Sequence, residues 1–174
     1  MSAPPLLGVH HSAYRCRDAE ETRAFYEDIL GLKLRVALTE DKAPGTGSAI
    51  AFQHLFFELG DGRFIAFFDE PAGAAEKKFA PKNPFDQHIA FEAPSIDALS
   101  TFQARLAQHG VVAQGPVDHG FCHSIYFWDP NGLALEITAR DPGHETYMRG
   151  AEKTARADIE AWTAQRPARP LLTK

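Results

Sequence analysis

The chain has 174 residues, of which 44% are apolar, 24% charged and 11% aromatic, the profile of a globular fold with its own core. Asp plus Glu (23) outnumber Lys plus Arg (18), which argues against a nucleic-acid surface, and two cysteines are too few for a disulfide scaffold. No apolar run reaches the ~18 residues of a membrane span, and the MSAPPLLG start lacks a secretory signal's basic and apolar regions, so a cytoplasmic protein without nucleic-acid or membrane partners is expected.

In chain order, a strand is predicted over about 9–16, opening near His11, and a helix over about 19–30. Asp18 caps that helix with Glu21 three positions on, Phe25/Ile29 and Tyr26/Leu30 form its buried face, and Gly31 stops it. The polar, Gly- and Pro-rich segment 39–49 reads as a mobile loop, a candidate lid. Two aromatic-rich strands follow, joined by the tight-turn pair Asp61-Gly62, and residues 70–85 form a linker. A strand at about 87–93 carries His88. A helix over about 96–108 starts at a Ser95 cap, buries Ile96, Leu99, Phe102 and Leu106, and ends by Gly110. Three more strands follow, the last two joined at Asn131-Gly132. The tail, 143–174, is predicted helical over 151–165, with Ala155, Ile159 and Trp162 on one face and Pro167 as the stop.

The chain also matches itself. His11–Phe25 aligns without a gap on His88–Phe102, pairing His with His, Ala13 with Ala90 and Tyr14 with Phe91. Downstream, His54–Phe67 aligns on Ser124–Ile137 through the turn glycines Gly62 and Gly132. The fold class is therefore α+β. Two tandem βαβββ units, about 8–70 and 86–140, and a C-terminal helical tail make one domain over 1–174.

Three residues in this frame could carry chemistry. His11 and His88 open equivalent strands, and Glu136 lies inside the apolar strand Leu133–Thr138. Side chains alternate along a strand, so one residue from each could face a shared concavity. Two imidazoles and a carboxylate suit a divalent metal with open coordination positions. A strand histidine is also an ordinary core or surface residue, and spacing alone leaves both readings open.

The duplicated unit and the strings HHSAYRCRD, FYEDILGL and DPNGLALEIT resemble the vicinal oxygen chelate superfamily over residues 9–140. That superfamily contains glyoxalase I, extradiol catechol dioxygenases, fosfomycin-modifying enzymes and bleomycin-binding proteins. The resemblance implies a half-open mixed β-barrel around the site, with His11, His88 and Glu136 as metal ligands and His10 as the neighbouring alternative to His11. Glyoxalase-like members add a glutamate on the first unit's last strand. Here that place is Ala66, or Phe67 with a one-residue slip, and neither binds metal.

A second run resembles the extradiol dioxygenases: Val117-Asp-His119, five residues, Ile125-Tyr126, two residues, Asp129-Pro-Asn-Gly132, three residues, Glu136. It implies His119 as a donor to the substrate hydroxyl and Tyr126 as a hydrogen-bond partner of bound catecholate. The resemblance thus implies a single-domain extradiol dioxygenase using Fe(II), or Mn(II) or another divalent metal, on a small aromatic diol and O2. The acid/base histidine of the larger members has no counterpart in Pro71–Ala75, which leaves His54, His119 or His123 for that task. A metal-dependent isomerase or thiol transferase, or a non-catalytic binder of aromatic compounds, are the rival readings. The scaffold and the tail helix lead to the expectation of a homo-oligomer, most simply a dimer.

Overall fold

The computed structural model describes residues 3–165. Strand β1 (His11–Cys16) leads into α1 (Ala19–Arg23), which continues as a π-helical turn, Ala24–Ile29. Then come β2 (Lys33–Lys42), β3 (Ala49–Glu58) and β4 (Phe64–Asp69). The second unit repeats the pattern with β5 (Ile89–Glu92), α2 (Ile96–Gln108), β6 (Gln114–Asp118), β7 (Cys122–Trp128) and β8 (Ala134–Arg140). Helices α3 (His144–Glu152) and α4 (Ala155–Gln165) close the described chain. No helix among the described residues is long and apolar enough to cross a membrane.

The strands form two open mixed sheets with the same order, β1-β4-β3-β2 and β5-β8-β7-β6. In each, the first strand lies parallel to the last, and the rest are antiparallel. Both first strands are therefore sheet edges. The predicted caps act as expected: Asp18 accepts from the Glu21 N–H at 2.8 Å, and Ser95 accepts from the Ala98 N–H.

One core joins the units. Tyr14, Cys16, Leu55, Phe57, Ile65 and Phe67 from the first sheet meet Ile125, Phe127, Leu135 and Ile137 from the second, with the helices between. Burial pushes the Cys16 thiol up to about 12, as expected of an apolar, unreactive cysteine. Polar contacts fasten the same junction. The buried Asp129 carboxylate accepts from the Tyr26 hydroxyl at 3.0 Å and from the Asn131 and Leu133 N–H groups. Asn131 in turn accepts from the Arg17 N–H at 2.8 Å and donates to Thr22 Oγ1. The Asp-Pro-Asn-Gly turn of unit two is thus clamped onto the first helix of unit one.

Four expectations are corrected. The first helix winds wider than an α-helix after Arg23, with the Leu30 N–H bonded to the Phe25 carbonyl, and this lets the adjacent Phe25 and Tyr26 both face the core. Most of segment 39–49 is strand: the β2–β3 hairpin continues to Lys42 and resumes at Ala49, so only 43–48 turns, helped by Gly45 and Gly47 at positive φ. His88 precedes β5 instead of lying within it. The tail forms two helices, α3 docking through Tyr147 stacked on Phe121, while Ile159 and Trp162 of α4 are exposed. The expected stop at Pro167 lies outside the described residues.

Candidate metal centre

Strand register sorts the candidate residues onto faces. On the first sheet His11, Ala13, Phe64, Ala66, Phe56, His54 and Phe68 share the face opposite the core. On the second sheet Ala90, Glu136, Thr138, Tyr126 and Ser124 do the same. Ala13 pairs with Ala66 where Ala90 pairs with Glu136, so Ala66, not Phe67, is the first-unit counterpart of Glu136.

Glu136 is only 7% exposed, and His88 is its ionisable neighbour, with Nε2 3.3 Å from Oε2. The other ring nitrogen, Nδ1, lies 2.8 Å from the Pro84 carbonyl oxygen. A carbonyl only accepts, so Nδ1 carries a proton, and in the neutral ring Nε2 presents its lone pair to the carboxylate. Either a proton on Nε2 or a bound cation satisfies both acceptors. Donors bound side by side on one metal at ~2.1 Å each stand about 3 Å apart, which the observed spacing fits. The backbone carbonyl behind His88 is the usual orienting partner of a ligating imidazole.

His119 and Tyr126 also come together, Nε2 lying 2.7 Å from the phenolic oxygen. Tyr126 pairs with Glu136 across the β7–β8 ladder. Burial, with the Glu136 carboxylate adding to it, pushes the Tyr126 phenol above its ordinary value. Tyr126 is therefore a protonated donor at neutral pH. His88, Glu136, Tyr126 and His119 form one contiguous group on the second sheet.

His11 stands apart from that group. Its Nδ1 is 2.9 Å from Nδ1 of His10, and its ring lies edge-on to Phe56. Among the described residues no three His, Cys, Asp or Glu side chains converge closely enough to hold a metal. His54 shares the His11 face. It stacks on Phe68 with ring centres 3.8 Å apart, and its Nε2 is buried without a hydrogen-bond partner. Burial first, and then His11, lowers its pKa from the ordinary 6.5. His123 is corrected as an acid/base candidate: it alternates to the face opposite Tyr126 and pairs with Asp141 at 3.5 Å and Asp118 at 3.9 Å. A cavity of about 690 Å³ lies between the units beside Leu30, Leu59, Phe91 and Phe102, and is lined by none of the candidate donors. The orienting role of the Pro84 carbonyl and the clamp at Asp129 carried no signal in the sequence beyond turn chemistry.

The comparisons with known proteins agree with this architecture. A family model described as the Glyoxalase/Bleomycin resistance protein/Dioxygenase superfamily matches residues 8–137. A biphenyl-2,3-diol 1,2-dioxygenase of Rhodococcus globerulus is 31% identical over 94 residues, 52% of this chain and 49% of that protein, so this chain spans about half that relative's length. A protein of Arabidopsis thaliana named Glyoxylase I 4 is 25% identical over 135 residues, covering 76% of this chain and 70% of its own. The crystal structure of the Listeria monocytogenes fosfomycin resistance protein FosX, solved with Mn(II) and sulfate, superposes with TM-score 0.58 at 20% identity, covering 82% of this chain and 99% of that one. With two βαβββ units in matching register and three quarters of its length matched, this chain belongs to the Glyoxalase/Bleomycin resistance protein/Dioxygenase superfamily.

Proposed function

We propose that this protein is an extradiol dioxygenase that opens a catechol-type ring with O2, using Fe(II) held by His11, His88 and Glu136. The observation that carries the reading is the facing pair of His88 Nε2 and Glu136 Oε2, with the His119–Tyr126 pair beside it. When bound, the metal supplies a Lewis acid that lowers the proton affinity of the diol oxygens and couples the diol electronically to dioxygen. The protein's own groups handle protons and orientation. A diol must shed protons to chelate, and the exposed His119 imidazole can take one and exchange it with solvent. The Tyr126 hydroxyl, kept protonated beside Glu136, can donate to an anionic diol oxygen. Phe56, Phe64 and Phe68 on the His11 face offer an apolar wall to a ring. The dioxygenase relative named for a biphenyl diol supports the same substrate class.

A glyoxalase-like isomerase is the second reading, favoured by the relative named Glyoxylase I 4, which matches a longer stretch of this chain. Ala66 weighs against it, because no carboxylate stands where Glu136 has its counterpart. Anaerobic Fe(II) loading, followed by O2 uptake and visible absorbance with catechol, 3-methylcatechol and 2,3-dihydroxybiphenyl, tests the choice. Stoichiometric uptake with a yellow product, lost in Glu136→Ala, is the expected result. Iron bound without uptake on any of the three overturns the dioxygenase reading.

A further inference from the structure

His119 sits in the turn between β6 and β7, at the exposed end of a hairpin. Its contact with Tyr126, 2.7 Å from Nε2 to the phenolic oxygen, lasts only while that turn keeps its place, because a hydrogen bond weakens steeply once its atoms drift apart or out of line. The turn bonds to itself, with the Gly120 N–H donating to Asp118 Oδ1 at 2.7 Å and the His119 N–H to the Cys122 carbonyl at 2.9 Å. The counterpart turn of the first unit, 43–48, closes in the same local way, through the backbone of Ala43, Gly47 and Ser48.

The second unit adds a brace from outside the repeat. Asp141, just past β8, and the first turn of α3 converge on Phe121, at the far end of the His119 turn. The Phe121 carbonyl accepts from the Asp141 N–H at 3.1 Å and from His144 Nδ1 at 2.9 Å, which occupies both of its lone pairs. Tyr147 follows His144 on the same helix face and stacks on the Phe121 ring, with centres 5.0 Å apart and planes at 28°. The Phe121 ring in turn neighbours the His119 ring, 6.4 Å between centres. On the other face of β7, His123 Nε2 lies 3.5 Å from Asp141 and 3.9 Å from Asp118, tying the start of the turn to the approach to α3. After β4 the first unit instead enters a short 3-10 turn, Pro71–Gly73. Helix α3 has no fully buried residue, so it adds little to the core. What it touches is the turn that carries His119.

We propose that His144 and Tyr147 are positioning residues for His119. Through the Phe121 carbonyl and ring they fix the β6–β7 turn where it keeps the imidazole on the Tyr126 hydroxyl. This rests on the reading of His119 as the group that takes the diol proton. A displacement of about 1 Å in a reacting group costs up to ~100-fold in rate, so loosening α3 shows in turnover before it shows in stability.

Tyr147→Ala and His144→Ala test this. Each is expected to lower kcat for O2 uptake with catechol about 10-fold in the Fe(II)-loaded protein, with KM changed less than about twofold and circular dichroism unchanged. Tyr147→Phe keeps the stacked ring and is expected to keep wild-type kcat. In a His119→Ala background Tyr147→Ala is expected to cost nothing more, because the group it places is gone. Nuclear magnetic resonance of the metal-free protein with isotope-labelled histidine reads the same placement without turnover. The His119 ring signals are expected to shift and lose their contacts to Tyr126 in Tyr147→Ala, while those of His54 stay where they were. An unmoved His119 ring overturns the proposal, as does unchanged kcat in both alanine variants or an equal loss of kcat with and without His119. A wild type that binds iron without O2 uptake overturns the dioxygenase reading instead, and the ring signals then decide the placement of His119 by themselves.

Discussion

Beside Ala13 on the first sheet stands Ala66; beside Ala90 on the second stands Glu136. The next strand repeats the contrast, with Phe56 opposite Ala66 and Tyr126 opposite Glu136. The turns differ too, Leu59-Gly-Asp-Gly62 in one unit and Asp129-Pro-Asn-Gly132 in the other. Two units with one register thus hold opposite chemistry. The first presents apolar rings and imidazoles; the second presents a carboxylate, a phenol and an imidazole. A buried carboxylate is costly without a cation. Placing it in one unit leaves the other free to be an apolar wall.

The largest effect is expected where the contrast is sharpest. Glu136→Gln should weaken divalent-metal affinity more than about 100-fold in calorimetric titration, since a ligand matters more than the orienting partners whose loss costs 10–100-fold. The metal-free protein should melt no lower than wild type, because an uncompensated buried carboxylate is removed; a large drop in melting temperature would make Glu136 a structural residue. Tyr126→Phe copies Phe56 into the second unit. It should lower kcat for O2 uptake by about 10- to 100-fold through the lost donor, with the melting curve nearly unchanged.

The two turns give the next comparison. Asp129→Ala strips a buried acceptor from Tyr26, Asn131 and Leu133, and should cost about 2–4 kcal/mol in denaturant unfolding. Asp61→Ala, in the exposed turn of the first unit, should leave the midpoint where it was. Equal effects would erase the distinction between a clamp and a simple turn.

The smallest effect concerns His54. His54→Phe removes a buried nitrogen without a partner and should raise stability by about 1 kcal/mol. The folded pKa of His54 lies below the ordinary 6.5, so the unfolded chain binds the proton first. Wild-type stability should therefore fall as pH drops below 6.5 toward the folded value, and this slope should flatten in His54→Phe.

Much of this was legible in the residue order. Ser95 and its apolar stripe gave α2 to the residue, and the turn glycines aligned Ala66 with Glu136 before any register was known. His119 and Tyr126, singled out by the resemblance to extradiol dioxygenases, are in contact. Alternation along a strand tells which face a side chain takes, but not which sheet that face will meet. The separation of His11 from His88 and Glu136 was invisible for that reason. The polar 43–48 turn hid how far β2 and β3 extend, because Thr, Glu, Asp and Lys are as comfortable in an exposed hairpin as in a loop.

The linker has a consequence of its own. Its backbone straps across the second unit's turn, with the Lys82 N–H bonded to the Gly132 carbonyl and the Trp128 indole bonded to the Lys82 carbonyl, and two residues later Pro84 turns the His88 ring. Among the described residues the His11 ring meets the ring of His10 at the equivalent nitrogen. If the two halves descend from one ancestral repeat, joining them end to end broke their equivalence at the stroke of fusion. The downstream copy inherited a prefabricated brace for its histidine, and selection could commit that copy to metal chemistry while the upstream one drifted toward shape.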